Sequence, residues 1–510
     1  MTISSLIHNV VYGKGITPLP NGILVSLFLL ILSDGMISTN VFSYLPELVK
    51  VLGASEVDAG KRVGFIASIM FITRIFSSII WGYICDKYGK KVALILSGSG
   101  LAASTILFGF SMNYTWAVVT RSIQGLCSGM IVISKAIVFD VSDDTNIAVA
   151  FSILFSGSNI GLILGPSIAG YLVFPVAKYP NVFSQGTFFD IFKIVIPNLL
   201  FASAMLISLL VTVFLLPKIK INLEEQEAIV ENASFQSSLM DSNVYLNCSI
   251  NAGSIQTIVT EKLGFLDSKK QTVLRHFFRF KNTKFGKLLG NRYYLLLILI
   301  YCTYSLLIVG HNELFPVFAA TLPHYCGLGM TTSDIGSLFL IVSFSLFISQ
   351  MTILNKLTNM FGAKKVFCAS TLFYGAFVAL VPTAYFMQTR YTLWVATSIN
   401  QICIRMTGSA GFIAINIFLN NSVDSDILGL ANGLAMSVGS IGSSVGAVVF
   451  GNAFTWSTKI IKNAQENNTS TVFPFNQYFA FVILAVLSML VSLCALCIPS
   501  SLNKKKPRNA

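Results

Sequence analysis

Residues 81–91 read Trp-Gly-Tyr-Ile-Cys-Asp-Lys-Tyr-Gly-Lys-Lys, "WGYICDKYGKK", and they separate two long apolar runs. One acid, three lysines and two glycines in so short a turn need a reason in a chain this apolar. Of its 510 residues, 54% are hydrophobic and only 11% charged, whereas a soluble domain carries about 25% charged residues. Lipid is the solvent that fits. A spanning helix needs roughly twenty mostly apolar residues. Twelve such stretches are readable, at 22–46, 63–84, 92–112, 115–139, 147–173, 194–216, 293–318, 335–354, 366–386, 391–419, 427–455 and 477–498. The expected fold class is an all-α polytopic membrane protein with twelve transmembrane helices.

The net charge of +13 has a topological origin. Basic residues cluster at Lys87, Lys90 and Lys91, from Lys262 to Arg292, at Lys356, Lys364 and Lys365, and from Lys504 to Arg508. With twelve spans, all of these segments fall on the side of the C-terminus, which predicts that both termini are cytosolic. Topology and contact with anionic lipid account for the basicity without nucleic acid. Nine cysteines form no disulfide framework, and His8, His276, His311 and His324 show no metal-ligand spacing. No metal and no cofactor are implied. The first apolar run lacks a small-residue cleavage site and is expected to remain as a span. Sequons at Asn467 and Asn468 fall in an expected outer loop; those at Asn232, Asn247 and Asn420 fall on the cytosolic side.

The expected organisation is a cytosolic tail (1–21), a six-helix bundle (22–217), a cytosolic linker (218–291), a second six-helix bundle (292–499) and a basic tail (500–510). The linker opens acidic and closes basic, and reads as mostly disordered, with a basic amphipathic helix near 273–289. The bundles look like copies. Gly161, Gly165 and Gly170 in span five recur at the same spacing as Gly442, Gly446 and Gly451 in span eleven. The opening motif recurs as "NKLTNMFGAKK", with Gly362 where Gly89 stood and Asn359 where Asp86 stood. Such duplication of six-span units is typical of secondary transporters.

Charges at membrane depth mark the spans that matter. They are Asp34, Arg74, Arg121, Lys135, Glu313 and Arg405, with His311 beside them. Each central charge costs about 2.5–3.5 kcal/mol on insertion scales, so these residues should face protein or a watery cavity. Apart from Arg74, they lie on spans one, four, seven and ten, every third helix, as expected if each half is built of three-helix units whose first helices meet at the centre.

The opening motif, Gly82-x₃-Asp86-Lys87-x-Gly89-Lys90-Lys91, resembles the loop signature between helices two and three of the major facilitator superfamily. Gly82 and Gly89 would allow close backbone approach and a tight turn, and Asp86 would accept hydrogen bonds at the positive end of a neighbouring helix. The resemblance implies a latch that holds the outward-open state on its cytosolic side, the lysines pairing with Asp140 at the end of span four. Arg121-Ser-Ile-Gln124-Gly125 resembles the superfamily's span-four arginine motif, implicated in proton coupling. Gly161, Gly165, Pro166 and Gly170 resemble the glycine–proline motif of proton-driven antiporters, with Ala169 in place of one glycine; Pro166 is expected to bend span five near the interface between halves. A narrower resemblance, carried by "FITRIFSSIIWGYICDKYGKK", "ISKAIVFD", "NIGLILGPSIAGYL", "HNELFPVFA" and "INIFLNNSVDSDILGLANGLAMSVGSIG", is to the zinc-induced-facilitator-like transporters of eukaryotes, a family similar to drug:proton antiporters. Asp140 stands where that family has glutamate, and Asn359 leaves any second latch without its acid.

An arginine keeps its proton, so Arg121 would bias a nearby carboxylate, with Asp34 and Glu313 the membrane-depth acids available. Either acid carries the transported proton, or both serve static buried ion pairs. Lys135 suits substrate contact or snorkelling. Arg74 reads as paired with an acid, Arg405 as a contact for an anionic substrate or a structural mirror of Arg121. His311 reads as a hydrogen-bonded polar residue, placed about 200° around the helix from Glu313. The expected function is a proton-coupled antiporter of a small organic solute, metal chelate or ion, working by alternating access. A symporter, a uniporter and a non-transporting sensor are the alternatives. No enzyme constellation is present. The expected setting is a monomer in a vacuolar, other endomembrane or plasma membrane.

Overall fold

The computed structural model describes residues 21–142, 147–215, 284–349, 360–423, 428–469, 471–499 and 502. Among them, regular structure is helical and no strand occurs. The chain divides into two compact units, one of residues 1–216 with 293–510 and one of residues 217–292. In the smaller unit the described structure is a short helix, Lys284–Gly290; residues 273–283 of the expected basic helix lie outside the described residues.

The larger unit is built from α1 (Asn21–Thr39), α2 (Ala59–Tyr88), α3 (Lys90–Gly109), α4 (Tyr114–Cys127), α5 (Met130–Val141), α6 (Ile147–Leu172) and α7 (Val195–Leu215), followed by α8 (Arg292–Ala320), α9 (Thr332–Ser349), α10 (Ala363–Leu380), α11 (Arg390–Asn421), α12 (Leu428–Glu466) and α13 (Phe479–Leu496). Ten segments among the described residues are long and apolar enough to cross a membrane, with α4 and α5 together making one of them. α6 and α9 lie at two further expected positions without counting among those ten. Side-chain caps set several starts. Asn113 accepts a hydrogen bond from the Trp116 amide (2.8 Å) to begin α4, and a capping box at Thr389 and Thr392 begins α11.

The opening motif is a helix stop and restart. Gly89 (φ +91°) ends α2 and caps α3; Gly362 (φ +79°) caps α10 in the second half in the same backbone conformation. Only glycine enters that region without strain. Gly82 behaves otherwise: a methyl placed on it would meet nothing within 4 Å. Among the described residues, the close approach expected at Gly82 does not occur.

The two glycine triplets do the same work in each half. A methyl on Gly161 would collide with the Leu32 carbonyl, and one on Gly165 would lie 2.5 Å from the Met36 carbonyl, so α6 crosses α1 backbone to backbone. A methyl on Gly442 would collide with the Cys302 carbonyl, and one on Gly446 would lie 2.5 Å from that of Leu306, so α12 crosses α8 in the same way. The third glycine of each triplet reaches the opposite half. A methyl on Gly170 would sit 2.7 Å from Gly336 in α9, and one on Gly451 would sit 2.5 Å from the Gly60 carbonyl in α2. Small residues permit this approach in helix packing without a hydrophobic driving force. Pro166 lies inside α6 one residue past Gly165.

Span four is not the continuous helix the hydropathy suggests. It breaks at Ser128 (φ −78°, ψ 76°) and Gly129 between α4 and α5. The freed backbone groups are satisfied by side chains, as the interior of a bundle demands. Ser97 Oγ donates to the Cys127 carbonyl (2.6 Å) and accepts from the Gly129 amide (3.0 Å), while Trp81 Nε1 donates to the Leu126 carbonyl (2.8 Å). The Trp81 ring lies flat on Gly129, where a methyl would overlap it.

Candidate functional site

Arg121 is among the largest fully buried side chains, 1% exposed. Its placement follows from how α1 ends. The α-helix gives way to a 3₁₀ turn at Asn40–Ser43, where α-type carbonyl acceptors come free. Arg121 takes them: Nη2 donates to the Ser38 carbonyl (2.8 Å) and Nη1 to that of Ile37 (3.4 Å), with a further bond from Nη1 to Gln124 Oε1 (2.8 Å). Gln124 is held by Thr105 (3.2 Å), and the Phe108 ring lies 5.8 Å from the guanidinium. The last residue of that motif, Gly125, lets α4 cross α2, since a methyl there would overlap Thr73 and Met70.

The carboxyl group of Glu313 on α8 is 3% exposed, and its Oε1 has no hydrogen-bond partner among the described residues. Burial strips it of water, and the formal charge acting on it is that of Arg121, from the other half. Asp34 is 2% exposed and belongs to a different cluster. It accepts a long hydrogen bond from Ser128 Oγ (3.5 Å) at the span-four break and feels the charge of Arg74 on α2. Arg74 in turn donates to Ser38 Oγ (3.0 Å). Ser38 thus offers its carbonyl to one arginine and its hydroxyl to another.

In the second half, His311 Nε2 meets Gln401 Oε1 on α11 (3.1 Å), while Glu313 faces the first half. Arg405, one turn beyond Gln401, is half-buried with its guanidinium 5.5 Å from the Phe339 ring of α9. Lys135 Nζ on α5 reaches Met436 Sδ on α12 (2.8 Å), a contact between halves. Beside Gln401 lies a cavity of about 260 Å³ between α10 and α11, bordered by Phe315, Phe377 and Asn400.

The motif lysines reach backbone carbonyls. Lys90 Nζ donates to the Ala136 carbonyl in α5 (3.2 Å), and Lys91 Nζ to the Val213 carbonyl in the last turn of α7 (2.7 Å). Cations suit the negative ends of helices. Lys364, two residues after Gly362 as Lys91 is after Gly89, donates to the Leu496 carbonyl at the end of α13 (2.9 Å). Lys87 lies 5.4 Å from the rings of Tyr83 and Tyr88. The Asp86 and Asp140 side chains and Asn359 lie outside the described residues, and with them the expected pairing of the motif lysines with Asp140.

Opposite the motif end, charges join the halves at positions that no motif marks. Lys459 on α12 pairs with Asp58 (3.2 Å), the Lys61 amide donates to Thr455 Oγ1 (2.7 Å), and Lys50 donates to the Ala320 carbonyl (3.1 Å) while pairing with Glu56 (2.8 Å). Lys178, between α6 and α7, donates to the Gly170 carbonyl. In the sequence these lysines look like ordinary loop and helix-end residues.

Residues 27–327, more than half the chain, match the Major Facilitator Superfamily. The chain is 25% identical over 471 residues to Protein ZINC INDUCED FACILITATOR-LIKE 1 of Arabidopsis thaliana, an alignment covering 91% of this chain and 89% of that protein. Over 163 residues, 31% of this chain and 27% of that one, it is 32% identical to the Major facilitator superfamily multidrug transporter mfsB of Aspergillus fumigatus. Among solved structures, the D-xylose-proton symporter shares the fold with a TM-score of 0.64 at 15% identity, covering 96% of this chain and 100% of that chain. Together with two glycine-crossed halves and charge held at membrane depth, these likenesses establish that the chain belongs to the Major Facilitator Superfamily and is an integral multi-pass membrane transporter, not an enzyme.

Proposed function

We propose that this transporter exchanges protons for a small solute by alternating access, with Glu313 as the proton carrier and Arg121 as the fixed charge that reads its state. The observation that carries this reading is the placement of Glu313: buried, with Oε1 unpartnered, and under the charge of an arginine anchored in the other half. When Glu313 is ionised, its attraction to Arg121 holds the halves together across the centre. A proton on Glu313 removes that attraction. Moving a two-state equilibrium from 1:99 to 99:1 takes about 5.5 kcal/mol, and the attraction lost on protonation supplies part of it. Asp34 on α1, Arg74 on α2 and Ser128 at the break in span four form a second site that tunes the first.

Antiport is favoured over symport by likeness to relatives whose names describe multidrug transport and efflux. The far end is closed by the Gly170–Gly336 and Gly60–Gly451 crossings, and the basic clusters favour a cytosolic motif end. Both termini are then cytosolic, and the protein works as a monomer in a vacuolar, other endomembrane or plasma membrane. The test uses purified protein in liposomes, a panel of labelled solutes and an imposed pH gradient. Accumulation against the proton gradient should be lost in Glu313→Gln and reduced in Asp34→Asn. If both variants express normally and keep full pH-driven flux, the assignment fails; flux along the proton gradient would make the protein a symporter.

A further inference from the structure

The membrane-depth cations of the described residues differ in how they are compensated. Arg74 lies near Asp34 and Ser38, and Arg121 is held by two carbonyls, Gln124 and the charge of Glu313. Lys135 reaches across to α12. Arg405 stands apart. Among the described residues it meets the face of Phe339 but no hydrogen-bond acceptor and no acid. An uncompensated guanidinium at this depth is costly, and an aromatic face offsets only part of that cost.

Two polar groups beside it also lack partners among the described residues. Gln401 lies four residues earlier on α11, on the same helical face; it is 2% exposed, and its Nε2 has no partner. His311, bonded to Gln401 through Nε2, is 1% exposed, and its Nδ1 is unpartnered. The charge of Arg405 acts on both His311 and Tyr374. The Tyr374 hydroxyl donates to the Leu307 carbonyl (3.1 Å). A permanent cation with no counter-charge among the described residues thus lies one helical turn from a spare amide donor on Gln401, which lines the cavity between α10 and α11 with Phe315 and Phe377 on its walls.

We infer that Arg405, with Gln401 one turn away, is the substrate anchor and that it takes the carboxylate of a small organic anion with an apolar or aromatic body. The guanidinium presents a planar fork that a carboxylate fits with two bonds, the Gln401 amide supplies a further donor, and Phe339 packs against the body. This deepens the transporter reading by naming a substrate class and rests on it, but concerns binding rather than proton coupling.

The full-length protein in detergent, without membrane or gradient, tests the proposal. Benzoate and benzamide, nearly identical in shape, are titrated at constant ionic strength while thermal unfolding is followed. Benzoate should raise the unfolding temperature saturably and benzamide should not. Arg405→Gln should weaken the apparent benzoate affinity at least about tenfold, the loss expected for a charge-assisted hydrogen-bond pair, and Arg405→Lys less. Should Arg405→Gln fail to yield monodisperse protein, Gln401→Glu, which sets a carboxylate beside the guanidinium, should abolish the benzoate effect. Equal stabilisation by benzamide, no benzoate effect on the unaltered protein, or undiminished benzoate binding by a folded variant overturns the proposal. Because Glu313→Gln leaves this pocket intact, it should bind benzoate normally even where pH-driven flux is lost, which separates the two readings.

Discussion

Lys178 shows what burial does to a single charge outside the spans. Burial pushes its amine down from its ordinary 10.5 to about 8, against the pull of Glu47 and Asp334. Between those two values the unfolded chain binds more protons than the native one, so stability rises with pH across that window and is lost as pH falls through 8. Lys178→Met should flatten the rise in unfolding temperature that the unaltered protein shows between about pH 8 and pH 10. A profile identical in both proteins would mean that Lys178 does not sense its burial. At the same scale, Gly161 and Gly82 make opposite forecasts. Gly161→Ala drives a methyl into the Leu32 carbonyl and should lower stability by about 1–3 kcal/mol, the usual range for overpacking. Gly82→Ala, with open space around it, should be neutral or stabilise by up to about 1 kcal/mol through helix propensity. Thermal unfolding of the two variants side by side checks both.

At the scale of elements, the sequence revealed the helices and the glycine crossings because both rest on local pattern: apolar length, and triplets repeated at fixed spacing in two halves. Arg121 and Glu313 were legible as important because charge at membrane depth is rare. Their relation was not, because the electrostatic link joins residues nearly two hundred positions apart. The break in span four also escaped hydropathy, which averages over Ser128 and Gly129. The Cys-Ser-Gly run offered a signal, but the decisive partners, Ser97 and Trp81, come from α3 and α2. Nor did the motif lysines disclose that they reach backbone carbonyls of α5 and α7, since any basic turn satisfies the topology rule equally well. The break yields its own forecast. Ser97→Ala leaves the Cys127 carbonyl and the Gly129 amide without their side-chain partner and should cost about 1–3 kcal/mol. Unchanged thermal stability would show that water replaces the serine.

For the whole molecule, an exposed salt bridge supplements the glycine crossings that close the far end. Asp58 and Lys459 are about half exposed, so their bridge is worth about 0.2–1 kcal/mol and weakens in salt. The bonds to Lys459 and Ser55 hold the Asp58 carboxyl below its usual range. That contribution is present above the ordinary carboxylate value near 3.8 and lost as pH falls through the lowered one. Asp58→Asn should therefore make a cysteine placed at the far end of α12 modestly more reactive to an impermeant thiol reagent, by up to about fivefold. The charge-reversed pair Asp58→Lys with Lys459→Asp should restore protection. If the single variant labels no faster than the unaltered protein, the bridge does not help close that end.

The crossings of Gly170 on Gly336 and of Gly60 on Gly451 lie on opposite flanks of that same end, and two points define an axis. Main chain rests on main chain at both, so the seams themselves hold few side chains that must change rotamer in a small rotation about the line joining them. Breathing at the motif end should be frequent and shallow in barrier. Separating the far end means lifting two close-packed seams at once, which makes it the rarer event and sets the tempo of the transport cycle.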